Sequence, residues 1–434
     1  MSTTITVNHL ARVEGHGGVT VELDGDSVRE VRFDIFEGPR LLETLAHGKS
    51  YRDISQFLSR ICAICSVAHA LTSIKATEAA FGVRPSAQTE LLRDLLYRGE
   101  SIESHALHIF LLAVPDYLGY SGAIAMAAEK PEAVLLGLRL KKLGNTIQEI
   151  IGGRAVHPVN AVPGGFGKLP EMDDLIALRR DLLRAVADFD TVISLIASLP
   201  PAGFCRAKTQ FVAMRNPDEY GYYAGSEFVV AENSRRQAFP AAEYRKFAGE
   251  TSIAHSHAKH SFHDGRPFMV GSLARLTVNG EKLDGRAAEA RERLGLRPPF
   301  TNPMDNNKGQ AVELIFDIEY ALRIVDRLLA EGIRPEVPVP VEPVAGAGTA
   351  LTEAPRGLLV HSYEYDGDGR VTYADVITPT AFNAASVEEH IRRAVEQSDN
   401  KEAAALTRKC EMIVRAYDPC ISCSVHVMQM GHAL

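Results

Sequence analysis

Apolar and polar residues alternate at the start of the chain. ITVNHL, GGVTVELDG and SVREVRFDIFEG each repeat with a period of two, which predicts strands, and DGDS predicts the turn between the last two. From Ser55 the period lengthens to that of a helix. Residues 86–113 predict one long helix ending before Pro115, with further helices over 131–151 and 169–198. The latter opens on LPEMDDL, whose acidic first turn suits the helix dipole. Residues 208–240 read as strands and turns, and another long helix fits 311–331. RPEVPVPVEPVAGAG (334–348) breaks the pattern, extended by its prolines and loosened by its glycines, as a linker or a surface crossover. Short strands follow around GLLVHSYEYDGDGRVTYADV, then a final helix over 386–397. The expected fold is α+β and mostly α, a core of long helices with N-terminal strands in 1–38 and small β excursions.

Composition narrows the function. The 434 residues are 46% hydrophobic and 24% charged, with a net charge of −8, which is ordinary soluble material. The mild acidity argues against nucleic acid or an anionic membrane as a partner. MSTTITVNHLARVEGH shows no basic segment before an apolar run, and no stretch nears the roughly 20 apolar residues of a membrane span. A cytoplasmic protein is expected. VAGAGTAL lacks the strand and third glycine of a dinucleotide fingerprint, and GGFGKLP is not a phosphate loop. Any nicotinamide or flavin is therefore expected on another chain.

The candidate chemistry lies in the cysteines. Six are too few for a disulfide scaffold in a chain this long. Cys205 and Cys410 stand alone and read as small buried apolar residues. The other four form two CxxC pairs, Cys62/Cys65 in SRICAICSVAHALTS and Cys420/Cys423 in YDPCISCSVH, each trailed by a histidine, His69 and His426. CxxC spacing lets two thiolates chelate one metal from a tight turn, so two such turns offer four soft ligands. A structural zinc is the bland alternative, but zinc ribbons keep their pairs within about 15–20 residues, and a chain this size needs no metal staple. A redox CxxC would leave the second pair without a role. The run HSHAKHSF (His255, His257, His260), with His263, gives no single helical face and no accompanying carboxylate cluster, so it reads as a solvated or subunit-facing loop.

RxCxxCxxxH near the start and DPCxxCxxH at the end resemble the paired signatures of the large subunit of nickel–iron hydrogenases. ARVEGHGG, FEGPRLLETLAHGKSYRDI, EAPRG at 353–357 and ITPTAFN at 377–383 fall in the same order, so the resemblance spans essentially the whole chain as one domain over 1–434. FEGPR, RICAICSVAHA and AYDPCISCSVH are most similar to the cytoplasmic, NADP-linked multisubunit branch, also called sulfhydrogenases.

The resemblance implies Cys62 and Cys420 as terminal nickel ligands, with Cys65 and Cys423 bridging to an iron that carries carbon monoxide and cyanide. It makes His69 a hydrogen-bond partner of a bridging sulfur and Glu14 the base that takes protons from Cys420. Arg356, after Pro355, would overhang the iron, Thr380 would donate to a cyanide, and Asp418 would share that canopy. A divalent ion, usually magnesium, would be held by Glu43, His426 and the carbonyl of Val376. Two positions depart from the pattern: Ala63 replaces a usual glycine, and Ser104 stands where many relatives carry an aspartate that contacts the arginine. The implied activity is reversible heterolytic cleavage of dihydrogen. With no cysteines left for a cluster, an iron–sulfur small subunit is implied, with flavin (FAD) and iron–sulfur partners linking to NADP(H). A maturation protease would cut after His426, making 427–434 a removable tail. The rivals are a zinc-binding assembly protein and the quinone-site relative in respiratory complex I, which lacks the four cysteines.

Overall fold

A computed structural model describes residues 2–38 and 40–425. The N-terminal alternation forms a three-stranded antiparallel sheet, β1 (Ser2–Val7), β2 (Gly17–Asp24) and β3 (Ser27–Ile35), with Asp24 opposite Ser27 at the expected turn. Two short helical turns lead to α1 (Ser66–Phe81). The bundle is built on α2 (Ala87–Leu107), α3 (Pro131–Gly152), α4 (Met172–Ala187) and α5 (Phe189–Ser198). A mixed sheet follows from β4 (Gln210–Arg215), β5 (Glu227–Glu232) and β6 (Arg235–Pro240). Next come the hairpin β7 (Gly249–Ile253) and β8 (Ser256–Phe262), and then β9 (Phe268–Met269), which joins that sheet parallel to β4. α6 (Ser272–Asn279) and α7 (Asn306–Glu331) precede the antiparallel sheet β10 (Gly346–Ala354), β11 (Gly357–Tyr365) and β12 (Val371–Ile377). α8 (Pro379–Glu396) and α9 (Ala403–Ala416) close the chain before the second cysteine pair.

Several boundaries differ from the periodicity. The helix over 86–113 does not stop before Pro115: a π turn over His108–Ala113 carries it into a further turn, Val114–Leu118, with Pro115 in its first turn. The proline is accommodated there because the π turn before it has already broken the regular i to i−4 ladder. The helix expected over 169–198 is two, divided at Asp188, whose carboxylate pairs with Arg139 of α3 while Phe189 turns into the core. The final helix starts at Pro379 rather than 386, again with proline in the first turn. Strand β10 and helix α9 lie where no element was expected. The proline-rich stretch before β10 runs against the bundle, with Val339 N–H donating to Gly164 O and Gln88 Nε2 to Arg334 O. One apolar core includes residues from both sides of it.

α2 is the spine. It starts with Ser86 Oγ capping Thr89 N–H at 3.0 Å and packs on α3 and α7. Its buried segment contains Arg98, Glu100, Ser101 and Glu103, so its interior polar groups require partners from other elements. Among the described residues no single helix is long and apolar enough to cross a membrane.

The α2–α3 crossing sets the distance between the two longest helices of this part of the bundle. A Cβ on Gly144 would lie 2.4 Å from Gly99 O and 2.5 Å from Glu103 N, both backbone atoms that cannot step aside. Gly144→Ala should therefore lower the unfolding midpoint through overpacking, by about 1–3 kcal/mol in chemical denaturation. An unchanged midpoint would show that the helices part freely.

Candidate metal centre

The two cysteine pairs sit on two loops that the fold presses together. Cys62 follows a 3₁₀ turn, Ser59–Ile61, and Cys65 immediately precedes α1. Its N–H donates to Cys62 Sγ at 3.0 Å, the close return that CxxC spacing allows. At the other end, α9 stops at Ala416 and the chain turns through Asp418 at φ 51°. It then enters the 3₁₀ turn Ile421–Ser424, which carries Cys423. Cys62 Sγ and Cys420 Sγ, 358 residues apart in sequence, come within 3.4 Å. The four sulfur ligand atoms all lie within 4.8 Å of one another and every one of these cysteines is buried. Cys420 and Cys423 are joined as a disulfide. Thiolates are the ligating form, so four-sulfur binding requires that bond reduced. Cys205 and Cys410 are buried and free, as expected.

Electrostatics differ between the two thiols of the first pair. Burial would raise both; the hydrogen bond from Cys65 and the charge of Arg356 nevertheless hold Cys62 below its ordinary value. Burial and the neighbouring Cys62 carry Cys65 well above its own.

Glu14 ties the N-terminal loop to the second cysteine loop. Its Oε2 lies 3.0 Å from Cys420 Sγ and accepts from Ser422 N–H at 3.1 Å, while its Oε1 accepts from the Ser422 hydroxyl. Its carbonyl accepts from Ile421 N–H at 2.9 Å, and Glu14 and Cys420 form a parallel bridge. Gly15 allows this approach: at φ 85°, a Cβ there would fall 2.7 Å from Ser422 N.

Arg356 occupies the two-residue turn between β10 and β11, where Ala354 pairs with Gly357. It is 4% exposed, and its Nε donates to Asp418 O at 2.7 Å and its Nη2 to Asp418 Oδ1 at 3.1 Å. Burial opposes its charge, but Asp418, Cys65 and Cys62 favour it more. Its Nη1 has no hydrogen-bond partner among the described residues, nor has the Oγ of Ser104. Pro355 offers its carbonyl to Arg275 Nη2 at 2.9 Å, and Thr380 Oγ1 accepts from Cys420 N–H at 2.9 Å. Ala63 is not among the residues in left-handed backbone, so the loop holds alanine without that strain.

His69 pairs through Nδ1 with His361 Nε2 at 3.0 Å, and His361 continues to the Tyr363 hydroxyl. Glu43 Oε1 accepts from Val376 N–H at 2.5 Å, which brings those two residues together. Burial and Asp375 push the Glu43 carboxyl well up. His426 and residues 427–434 lie outside the described residues.

Three contributors were not singled out in the sequence. Arg40, in FEGPR, donates through Nη2 to Ile61 O at 2.6 Å and Ser422 O at 2.5 Å, so one guanidinium ties both cysteine loops. Glu100 of α2 accepts from Val67 and Ala68 N–H at 2.6 and 3.0 Å, capping the helix that follows Cys65. Burial, with Cys62 nearby, raises its carboxyl well above the usual range. His361 is the third. Each acts on a partner far away in sequence; only FEGPR carried a local signal.

Comparison with known proteins bears directly on this site. The family profile described as "Nickel-dependent hydrogenase" matches residues 40–136 and 221–426, and one described as "HoxL-like" matches residues 4–37. The chain is 42% identical to "Sulfhydrogenase 1 subunit alpha" of Pyrococcus furiosus, covering 98% of each chain. It is 36% identical to "Sulfhydrogenase 2 subunit alpha" of the same organism, over 98% of this chain and 100% of the other. Among solved structures, a NAD+-reducing [NiFe]-hydrogenase in the H2-reduced state superposes with a TM-score of 0.87 at 27% identity, covering 98% of this chain and 99% of that one.

The Arg40 bridge has a measurable consequence. Arg40→Ala removes donors from two buried carbonyls and should free the second cysteine loop, raising amide exchange over 418–425 by tenfold or more while α2 and α7 stay protected. Unchanged exchange there would show that Glu14 and Thr380 hold the loop without Arg40.

Proposed function

Because the chain belongs to the nickel-dependent hydrogenase family, as a catalytic large subunit, we propose that Cys62, Cys65, Cys420 and Cys423 hold its nickel–iron centre, that Glu14 takes the proton released from dihydrogen, and that electrons leave toward NADP through partner subunits. The observation that carries the reading is the convergence of four buried sulfurs from two loops 358 residues apart. The donor set fits: soft thiolates suit nickel and iron, and Arg356 supplies a buried positive charge with one nitrogen still unpartnered among the described residues. When bound, the centre supplies heterolytic cleavage of dihydrogen.

The chain's own residues manage the charge. With Cys420 reduced, its Sγ hands a proton to Glu14 Oε2 across 3.0 Å, within the reach a general base needs. The Ser422 N–H and hydroxyl fix that carboxylate in place. Arg356, anchored by Asp418, offsets the negative charge of the thiolates. Thr380 holds the Cys420 backbone with its oxygen, leaving its hydroxyl proton to donate toward a cyanide. His69, tied to His361, stands one helical turn beyond Cys65 and would hydrogen-bond a cysteine sulfur of the centre. Glu43 and the Val376 carbonyl, with His426 from outside the described residues, would provide oxygen and imidazole ligands for a magnesium-like ion.

Electron exit needs another chain, because the two remaining cysteines are solitary and buried. The relatives named alpha subunits point to an iron–sulfur partner. The NAD+-reducing neighbour supports a route to a nicotinamide, and a flavin-bearing partner and a cytoplasmic setting belong to the same proposal. Maturation by cleavage after His426 is part of the same proposal, supported by a family match that itself ends at residue 426.

Cys65→Ser and Cys423→Ser should each lose nickel and hydrogen-dependent dye reduction; full activity in either would overturn the ligand set. Glu14→Gln should keep nickel and iron but slow H/D exchange by about 10²-fold or more, and a wild-type rate would remove Glu14 from the path. Zinc alone in the native protein would favour the assembly-protein reading. Intact mass spectrometry of active, nickel-loaded subunit is expected to end at His426, and a mass ending at Leu434 would exclude cleavage.

A further inference from the structure

Away from the cysteines, a second cluster of metal-ligating side chains is unused by the reaction. The ligand atoms of His255, His260 and Glu388 all lie within 4.8 Å of one another. His255 Nε2 is 2.8 Å from Glu388 Oε1, and His260 Nδ1 is 3.8 Å from Glu388 Oε2. Two ligands bound tetrahedrally to an ion at roughly 2.0–2.1 Å sit about 3.3 Å apart. The observed separations straddle that value.

Local structure produces the convergence. His255 lies in the turn of the β7–β8 hairpin and His260 within β8. Residues five apart on a regular strand face opposite sides. His255 sits in the turn and escapes that alternation, and the register shift between Ser256 and His260 further distorts the hairpin. α8 packs on both β8 and β3 and brings Glu388 to the pair. Glu388 Oε1 also accepts from Phe33 N–H at 2.8 Å, the kind of outer contact that fixes a ligating carboxylate. The His260 ring is 2% exposed, and its Nε2 has no hydrogen-bond partner among the described residues. The histidine run is thus a hairpin rather than a solvated loop, and a carboxylate reaches it from 128 residues beyond His260.

We infer that His255, His260 and Glu388 form a second metal site, separate from the cysteine cluster, for a divalent first-row transition ion. Two imidazoles and one carboxylate suit zinc, cobalt or nickel, whereas magnesium and calcium seek oxygen. The side chains of His255 and Glu388 are 22% and 18% exposed, which gives an ion a route from solvent. An ion there would pin the hairpin to α8, the helix that also carries Thr380.

The test uses the native complex, with Co2+ as the probe and nickel and iron content measured in parallel. His255→Ala and Glu388→Gln are the variants; both side chains are partly exposed, and the glutamine amide keeps an acceptor for Phe33 N–H. Wild type should bind one more equivalent of Co2+ than either variant, with d–d bands and no thiolate charge-transfer band, and each variant should lose at least tenfold in affinity. Nickel and iron content should be unchanged. Equal Co2+ stoichiometry and affinity in wild type and variants would overturn the site and leave His255–Glu388 as an ordinary ion pair. Thiolate charge transfer in the variant-sensitive signal would also overturn it, by placing the ion at the cysteines.

Discussion

Burying four sulfurs from opposite ends of the chain is the constraint on which the rest of this structure depends. A thiolate in a dry pocket is costly unless charge or hydrogen bonds compensate it. The surroundings of the cluster supply both. Cys65 N–H reaches Cys62 Sγ, the N-terminus of α1 points its dipole at the same pair, and Arg356 stands over them with Asp418 as its counter-ion. The difference between the two thiols of the first pair follows: the one that receives the hydrogen bond is stabilised as the anion, and its neighbour is not.

Arg356 in turn needs a rigid turn beneath it. Arg275, fully buried, donates to the carbonyls of Ala354 and Pro355 on either side of that turn's entry, at 3.0 and 2.9 Å. Its charge is matched by Glu313 at 2.7 Å and Glu353 at 3.1 Å. Burial alone would raise Glu313, yet Arg275 holds it below the usual carboxylate range, whereas burial pushes Glu353 up to about 7. Such a network adds little net stability when complete, but losing one member leaves an uncompensated buried charge at a cost of about 3–5 kcal/mol. Its worth here is positional: it fixes the backbone from which Arg356 reaches the cysteines.

What was legible in the sequence divides along the same line. The cysteine pairs, their spacing and the first sheet are written in short, local patterns, and the structure places them accordingly. Glu14 was found through its motif, although its partner Cys420 is 406 positions away. Elements whose identity depends on distant packing were misplaced. Pro115 reads as a stop, but the π turn before it lets the helix continue. β10 is rich in glycine and alanine because α1 lies directly across it: a Cβ on Gly348 would fall 2.1 Å from Ala76 O. That composition hides a strand. Arg40, Glu100 and the carboxylate of Glu388 escaped for a single reason: each meets its partners across separations that no local period records.

The second cysteine loop is also the part of the site that could separate while the rest stays intact. The hydrogen bonds that tie the backbone of 420–422 to distant parts of the chain come from Glu14, Arg40 and Thr380, while Cys420 Sγ meets Cys62 Sγ and Ile421 lies in the apolar core. The Arg275 network, the α2–α3 contact and the capping of α1 by Glu100 involve none of these residues. Undocking 418–425 would therefore open the sulfur pocket, release Asp418 from Arg356 and expose Ile421 and Val425, while those polar anchors of the frame stay in place. A buried centre needs such a separation, because ions must enter a pocket that, once closed, leaves its cysteines almost without exposure.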